Sequence, residues 1–427
     1  MQKQILLLAI LFFLAFQMKA QSPWIIDSVQ MGAGTINDVY YSLDNGINKT
    51  ENNKNWHLAF SMNSGDSSSI WANHNAGNAF VKVYNIHKDK SQWASVSIAD
   101  TASANLCYNN DQLWSQGALN DIYSPNIMNF GWGTYDVNSH KIIGDSIFII
   151  IADSTILKVM IDSLETLTST YYFRVGDIVN NTTTSHVLAK DPKFTNTLFA
   201  HFNLITGMDT LREPIKTEWD ILFTKYNTLI PQGPVTVPYN VVGVLGNNLA
   251  SFAQAQNVEV DSAYQNYGVY TNPWSKEISV IGYDWKTHIG GGVYAIPDSN
   301  TFFIKTTANS IYQMQFLNYV GSNGNFVFRK RLVIPTKVND LSAVNQYAIF
   351  PNPTQGNLNV VLDIQEKANA ILNVTDFSGR VVYSKNIQLQ QGLNALLVPT
   401  QSIANGQYIV NIQGENIKMS EKVIVAK

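Results

Sequence analysis

With one cysteine in 427 residues, Cys107 has no intrachain partner. No disulfide can staple the fold, so stability must come from core burial, and Cys107 is expected to sit there as a small apolar side chain. Charge is scarce too: 14% of residues, with 28 Lys+Arg against 31 Asp+Glu. The chain lacks the basic stripe that a nucleic-acid partner requires. Its densest basic run, Phe328–Arg331, is expected to be a solvated strand end. Only one hydrophobic run is long, Ile5–Phe16, and it falls short of the roughly 20 residues that cross a bilayer. Lys3 precedes it and Ala20 follows it, which is the order of a cleavable export signal at residues 1–20, with no transmembrane span after its removal. His-Glu-x-x-His, Cys-x-x-Cys, Gly-x-Ser-x-Gly and the Gly-Lys-Ser/Thr phosphate loop are all absent. Gly290–Val293 is an isolated glycine run that suits a loop better than a nucleotide site. The expectation is a protein without catalysis.

What is present is 45% hydrophobic and 11% aromatic residues, a composition that folds. Short runs of Val, Ile, Thr, Tyr and Phe alternate with polar residues and are separated by Asn, Gly, Asp and Ser. No stretch sustains a helical stripe, so the fold class is all-β. Several of these runs occur twice. Asn55–Phe60 (NWHLAF) is matched by Glu218–Phe223 (EWDILF), and Tyr40–Gly46 by His201–Gly207. Ser146–Ile161 is matched by Thr301–Phe316, and Phe173-Arg174 by Phe328-Arg329. The spacing is nearly constant, and a repeat of roughly 155 residues is the size of a domain, not of a solenoid unit. Two tandem β domains are therefore expected, at 21–175 and 176–334. Within each Trp run, Trp56, Leu58 and Phe60, or Trp219, Ile221 and Phe223, should share one strand face.

A connector at 335–346 leads into a different segment, 347–427. Pro351 and Pro353 fix an extended entry, Ser378-Gly379 turns a hairpin, and about seven short strands read as a β-sandwich. FPNPTQGNLNV, DFSGRVV, NGQYIV and the terminal EKVIVAK together resemble the C-terminal sorting domain, with its Ig-like sandwich, of the type IX secretion system of Bacteroidetes. That resemblance implies engagement of the secretion machinery and a product that is secreted or attached to the outer-membrane surface.

The second copy carries EWDILFTKYNTLIP, YNVVGVLGN, IGYDWK, FFIKTTANSIYQMQFLNY and GNFVFRKRL in order. It is similar to the HmuY family, secreted all-β haem-binding proteins; the first copy is a fainter version, with His57 in the place of Asp220. The resemblance implies haem as cofactor and haem or haem-carrying proteins as partners, with two axial side chains that are histidine in some members and methionine in others. No ligand motif carries over position by position.

From the residues alone, His288 and His140 are the metal-ligand candidates, because each follows a Gly-aromatic segment and precedes a long apolar strand. Tyr283 and Trp285 would line the haem beside His288. His201 is expected to pack in a strand, and Met208 and Met314 to pack in the core. The alternative reading is a surface adhesion or structural module without a haem ligand.

Overall fold

The computed structural model describes residues 22–62, 68–74, 81–121, 128–333, 344–377, 379–414 and 417–427. The export signal at 1–20 and residues 335–343 of the connector lie outside the described residues. The chain forms two compact units, Met1–Val333 and Ile334–Lys427.

The first unit is built from antiparallel sheets. Its earlier strands are β1 (Ile25–Gln30), β2 (Asn37–Ser42), β3 (Gly46–Asn52), β4 (Leu58–Ser61), β5 (Ile70–Ala72) and β6 (Val81–Asn85). There follow β7 (Leu106–Cys107), β8 (Gly133–Asp136), β9 (Lys141–Gly144), β10 (Ile147–Ala152), β11 (Thr155–Glu165) and β12 (Thr170–Asp177). Then come β13 (Thr182–Ala189), β14 (Phe199–Asn203), β15 (Met208–Thr210), β16 (Ile221–Gln232), β17 (Val235–Gly246) and β18 (Ser251–Ala255). The last are β19 (Thr287–Gly290), β20 (Val293–Ala295), β21 (Thr301–Lys305), β22 (Ile311–Val320) and β23 (Asn325–Leu332).

Two meanders dominate. One sheet follows the order β13-β12-β11-β10-β6-β7, and the other β1-β23-β22-β21-β18. Both carry a register shift at the same relative place, between Ile161 and Ser163 against β12 and between Phe316 and Asn318 against β23. Between the meanders lie two four-stranded sheets, β15-β14-β4-β5 and β17-β16-β2-β3. We read these counterparts as supporting an internal duplication.

The pairing runs across the expected boundary at 175/176, which falls inside β12. β1 closes the sheet of β23, β2 pairs with β16, and β4 pairs with β14. The core that contains Phe223, Phe316 and Phe328 also contains Val29, Val39 and Tyr41. The two stretches thus share strands within one unit and do not form two separate bodies. Pairing is the physical reason: each stretch would leave unsatisfied edges and a half-covered apolar face without the other.

The basic run at Phe328–Arg331 is not a solvated end. β23 lies between β1 and β22, which leaves Lys330 and Arg331 buried. Lys330 donates to the Tyr41 hydroxyl at 2.6 Å, and Arg331 bonds Gln313 at 2.8 Å and pairs with Asp261 at 2.7 Å. Met314 is core as expected, whereas Met208, on the short strand β15 at its sheet's edge, is 66% exposed. Cys107 is buried, and burial pushes its thiol up to about 12, so it is inert.

The second unit has seven strands among the described residues. β24 (Val344–Phe350), β25 (Asn357–Ile364) and β28 (Gly392–Pro399) form one sheet. β26 (Ala368–Asp376), β27 (Val381–Leu389), β29 (Gly406–Gly414) and β30 (Lys418–Val425) form the other. Leu358, Val360 and Leu362 alternate with more exposed residues along β25 and meet Leu372, Val410 and Ile412 in one core.

Candidate functional site

Each Trp run is held by the same set of bonds. Asn73 Nδ2 donates to the carbonyls of Asn53 and Trp56, at 2.7 and 2.8 Å. Asn247 Nδ2 donates to those of Lys216 and Trp219, both at 2.8 Å. The next residue then accepts a backbone amide: His57 Nδ1 from Leu204 at 3.0 Å, and Asp220 Oδ2 from Leu43 at 2.9 Å. Accepting that amide requires a neutral imidazole, and burial pulls His57 down to about 4. The carboxylate and the imidazole do the same work at counterpart positions.

This anchoring breaks the strand alternation. Regular pairing begins only at Leu58 and Ile221, so each Trp precedes its strand and turns to the other side. Leu58 and Phe60 enter one core and Ile221 and Phe223 another, while Trp56 and Trp219 meet in a third cluster. The expected shared face of Trp, aliphatic and Phe is therefore not formed.

That third cluster surrounds a cavity of about 60 Å³ between the two four-stranded sheets. Its aromatic walls are arranged as counterparts. Tyr40 sets its ring edge-on to Trp219 at 5.2 Å, and His201 does the same to Trp56 at 4.8 Å. Trp71 and Trp114 close another side, 4.5 Å apart. Their indole N–H groups are satisfied, Trp71 by the Trp114 carbonyl and Trp114 by that of Gly246. Among the described residues, Trp56 Nε1, Trp219 Nε1 and His201 Nδ1 are buried without a partner. Leaving a buried polar group so costs about 1–3 kcal/mol each. Burial, with the charges of Arg212 and Lys49, holds His201 neutral. Arg212 pairs with Asp38 at 2.9 Å and bonds Asn55 at 2.7 Å. Glu213 accepts the Leu198 amide at 2.7 Å, and burial raises its carboxyl to about 7.

A larger cleft of about 270 Å³ adjoins this cavity and shares His74 and Asn227 with it. β2 pairs only with Ile221–Phe223, so the rest of the β16–β17 hairpin extends as a two-stranded arm. Pro238, Tyr239 and Asn240 of the arm form one wall, and Val81, Lys82, Leu106 and Tyr108 the other. Asn240 Nδ2 ties the arm to the His74 carbonyl at 2.5 Å, and Thr228 hydrogen-bonds Asp111. The His74 imidazole is 8% exposed and lies 5.5 Å from the Tyr108 ring. Its Nδ1 is 3.1 Å from the Val81 carbonyl. A carbonyl only accepts, so Nδ1 carries the hydrogen and Nε2 keeps a free lone pair. Nε2 has no partner among the described residues, and burial lowers the ring to about 4, so it is neutral at physiological pH. Its second nitrogen is thus an uncharged donor whose ring is oriented by a backbone carbonyl.

The residues singled out from sequence are placed elsewhere. His288 is exposed on the two-stranded β19–β20 hairpin, 5.2 Å from the Tyr294 ring. His140 is exposed at the β8–β9 turn with φ +55, and its Nδ1 is 2.9 Å from the Tyr135 hydroxyl. Trp285 is fully buried and stacked on Phe316 at 3.7 Å, which makes it a core residue. Tyr283 is partly buried against the aromatic cluster that contains Trp219 and Ile278. His201 is buried in β14 as expected. His74 carries no local signal that separates it from the other six histidines, because its setting depends on an arm more than 150 residues away.

A secretion system C-terminal sorting domain matches residues 348–426, covering the second unit. This assigns export to the cell surface or beyond, and no helix among the described residues is long and apolar enough to cross a membrane. No curated protein matches the chain. The HmuY protein family, which is haem-binding and non-enzymatic, matches residues 35–329 as a single span across both stretches. With that match over most of its length, the chain belongs to the HmuY family.

Proposed function

We propose that this is an exported haem-binding protein that holds haem in the cleft beneath the β16–β17 arm, with His74 as an axial ligand. The carrying observation is the His74 imidazole: buried, neutral, with Nδ1 engaged by Val81 and Nε2 unpartnered. The cleft suits a flat amphipathic macrocycle. Val81, Leu106 and Pro238 offer apolar surface, Tyr108 and Tyr239 offer rings, and Lys82 offers a cation for carboxylate substituents. The smaller aromatic cavity is too small for a macrocycle. When bound, haem would supply an iron centre; the chain's own part is to present the nitrogen and exclude water. Nε2 is shielded, so iron reaches it through a local opening of the arm. Titration with haemin tests the reading: wild type should give a sharpened Soret band at micromolar concentration. His74→Ala should bind at least tenfold more weakly, and His140→Ala and His288→Ala like wild type. An unchanged haemin spectrum with wild type would favour the adhesion module instead.

A further inference from the structure

We infer that the aromatic cavity between Trp56 and Trp219 is a second binding site, beside the haem cleft, for a neutral single-ring molecule bearing hydrogen-bond acceptors. Size sets the first limit. A water needs about 10–15 Å³ in this measure, so a cavity of about 60 Å³ holds a handful of waters or one small ring. Shape sets the second, because rings of Tyr40, Trp71, Trp114 and Trp219 form its walls and offer flat faces.

Polarity sets the third. Trp56 and Trp219 are 7% and 1% exposed, and neither Nε1 has a partner among the described residues. An indole N–H can only donate, so each lacks an acceptor that a guest could supply; both nitrogens are shielded, so the guest reaches them through a small shift of the walls. Trp71 and Trp114, in the same walls, have theirs satisfied by carbonyls, so among the four tryptophans of this cavity the vacancy falls on the counterpart pair. Charge sets the fourth. Arg212, the guanidinium at the cavity, is engaged by Asp38, Asn55 and the Asn52 carbonyl. Lys225, also at the lining, donates to the Gly34 carbonyl at 2.9 Å, and Glu213 and Asp38 stand nearby, so among the described residues no unengaged cation is left there for an anionic guest. A carbonyl or ether oxygen on a neutral ring meets all four conditions, and a plain hydrocarbon fails the third.

Benzamide and the slightly smaller toluene separate these cases on the full exported chain. Saturation-transfer NMR and tryptophan quenching should show benzamide binding at millimolar concentration, at least tenfold more tightly than toluene. Trp219→Phe removes the donor and keeps an aromatic wall; it should weaken benzamide tenfold and leave toluene unchanged. Ala59→Leu, which adds bulk at the lining, should exclude both while near-ultraviolet circular dichroism stays native. Tyr239→Ala, which alters the cleft wall alone, should leave benzamide binding intact, which distinguishes this site from the haem cleft. The inference is overturned if neither probe binds, which leaves only water in the cavity. It is equally overturned if toluene binds as well as benzamide, or if Trp219→Phe binds benzamide as wild type does.

Discussion

Removing one stretch from the other should unfold it. Residues 176–334 on their own retain β13 to β23 but lose β1 and β2. From their core they lose Val29, Met31, Val39, Tyr41 and Leu43, all fully buried. Burying a large apolar side chain is worth about 1.5–3 kcal/mol, so the five contribute about 8–15 kcal/mol. A whole domain is stable by about 5–15 kcal/mol. The loss therefore matches or exceeds the total. In addition, the ladder from Ile25↔Lys330 to Gln30↔Asn325 would be left open, and Lys330 would lose the Tyr41 hydroxyl and the Leu43 carbonyl. Residues 22–333 should show dispersed amide resonances and one cooperative urea transition, whereas 176–334 alone should show neither. Adding residues 22–62 in trans should restore structure. A cooperative transition for 176–334 alone would refute the strand-exchange argument and return the chain to two independent domains.

Two further outcomes follow from particular groups. Glu213→Gln keeps an oxygen for the Leu198 and Phe199 amides and removes a buried acid. The folded Glu213 carboxyl lies near 7, above its ordinary 4.5, so its contribution is complete below about pH 4.5 and is lost as pH rises through 7. That rise corresponds to about 3 kcal/mol. Urea midpoints should therefore favour Glu213→Gln by about that amount at pH 8 and converge at pH 4, and a gap independent of pH would contradict the burial argument. A chain ending at Gln346 lacks the sorting domain and should remain in the periplasm. Fractionation and surface labelling would show it, and surface display equal to the full chain would contradict the assignment.

Much of the fold was legible because period-2 alternation and turn residues are local signals. The tail strands, the meanders and the matched Trp runs all follow from them. The strand exchange was hidden, since nothing local tells β1 to pair with β23 instead of a neighbour. The same blindness explains the site. His140 and His288 stood out because they follow aromatic segments, yet both lie on exposed hairpin ends. Trp285 stood out as an aromatic, and its flat ring is used to stack on Phe316 in the core. His74 becomes a ligand candidate only through Val81 beside it and Asn240 across the fold. Trp56 and Trp219 were visible as a repeated motif, but their turn away from the strand face depends on the side-chain anchors Asn73 and Asn247.

The identity of the axial ligand is the point on which the functional account stands or falls. Resonance Raman spectra of the reduced haem complex, prepared with and without nitrogen-15 histidine, report the iron–imidazole stretch directly. The account predicts an isotope-sensitive stretch in the wild type, unchanged in His140→Ala and His288→Ala and lost in His74→Ala. A stretch that persists in His74→Ala, or a wild-type complex with no isotope-sensitive stretch at all, would contradict it.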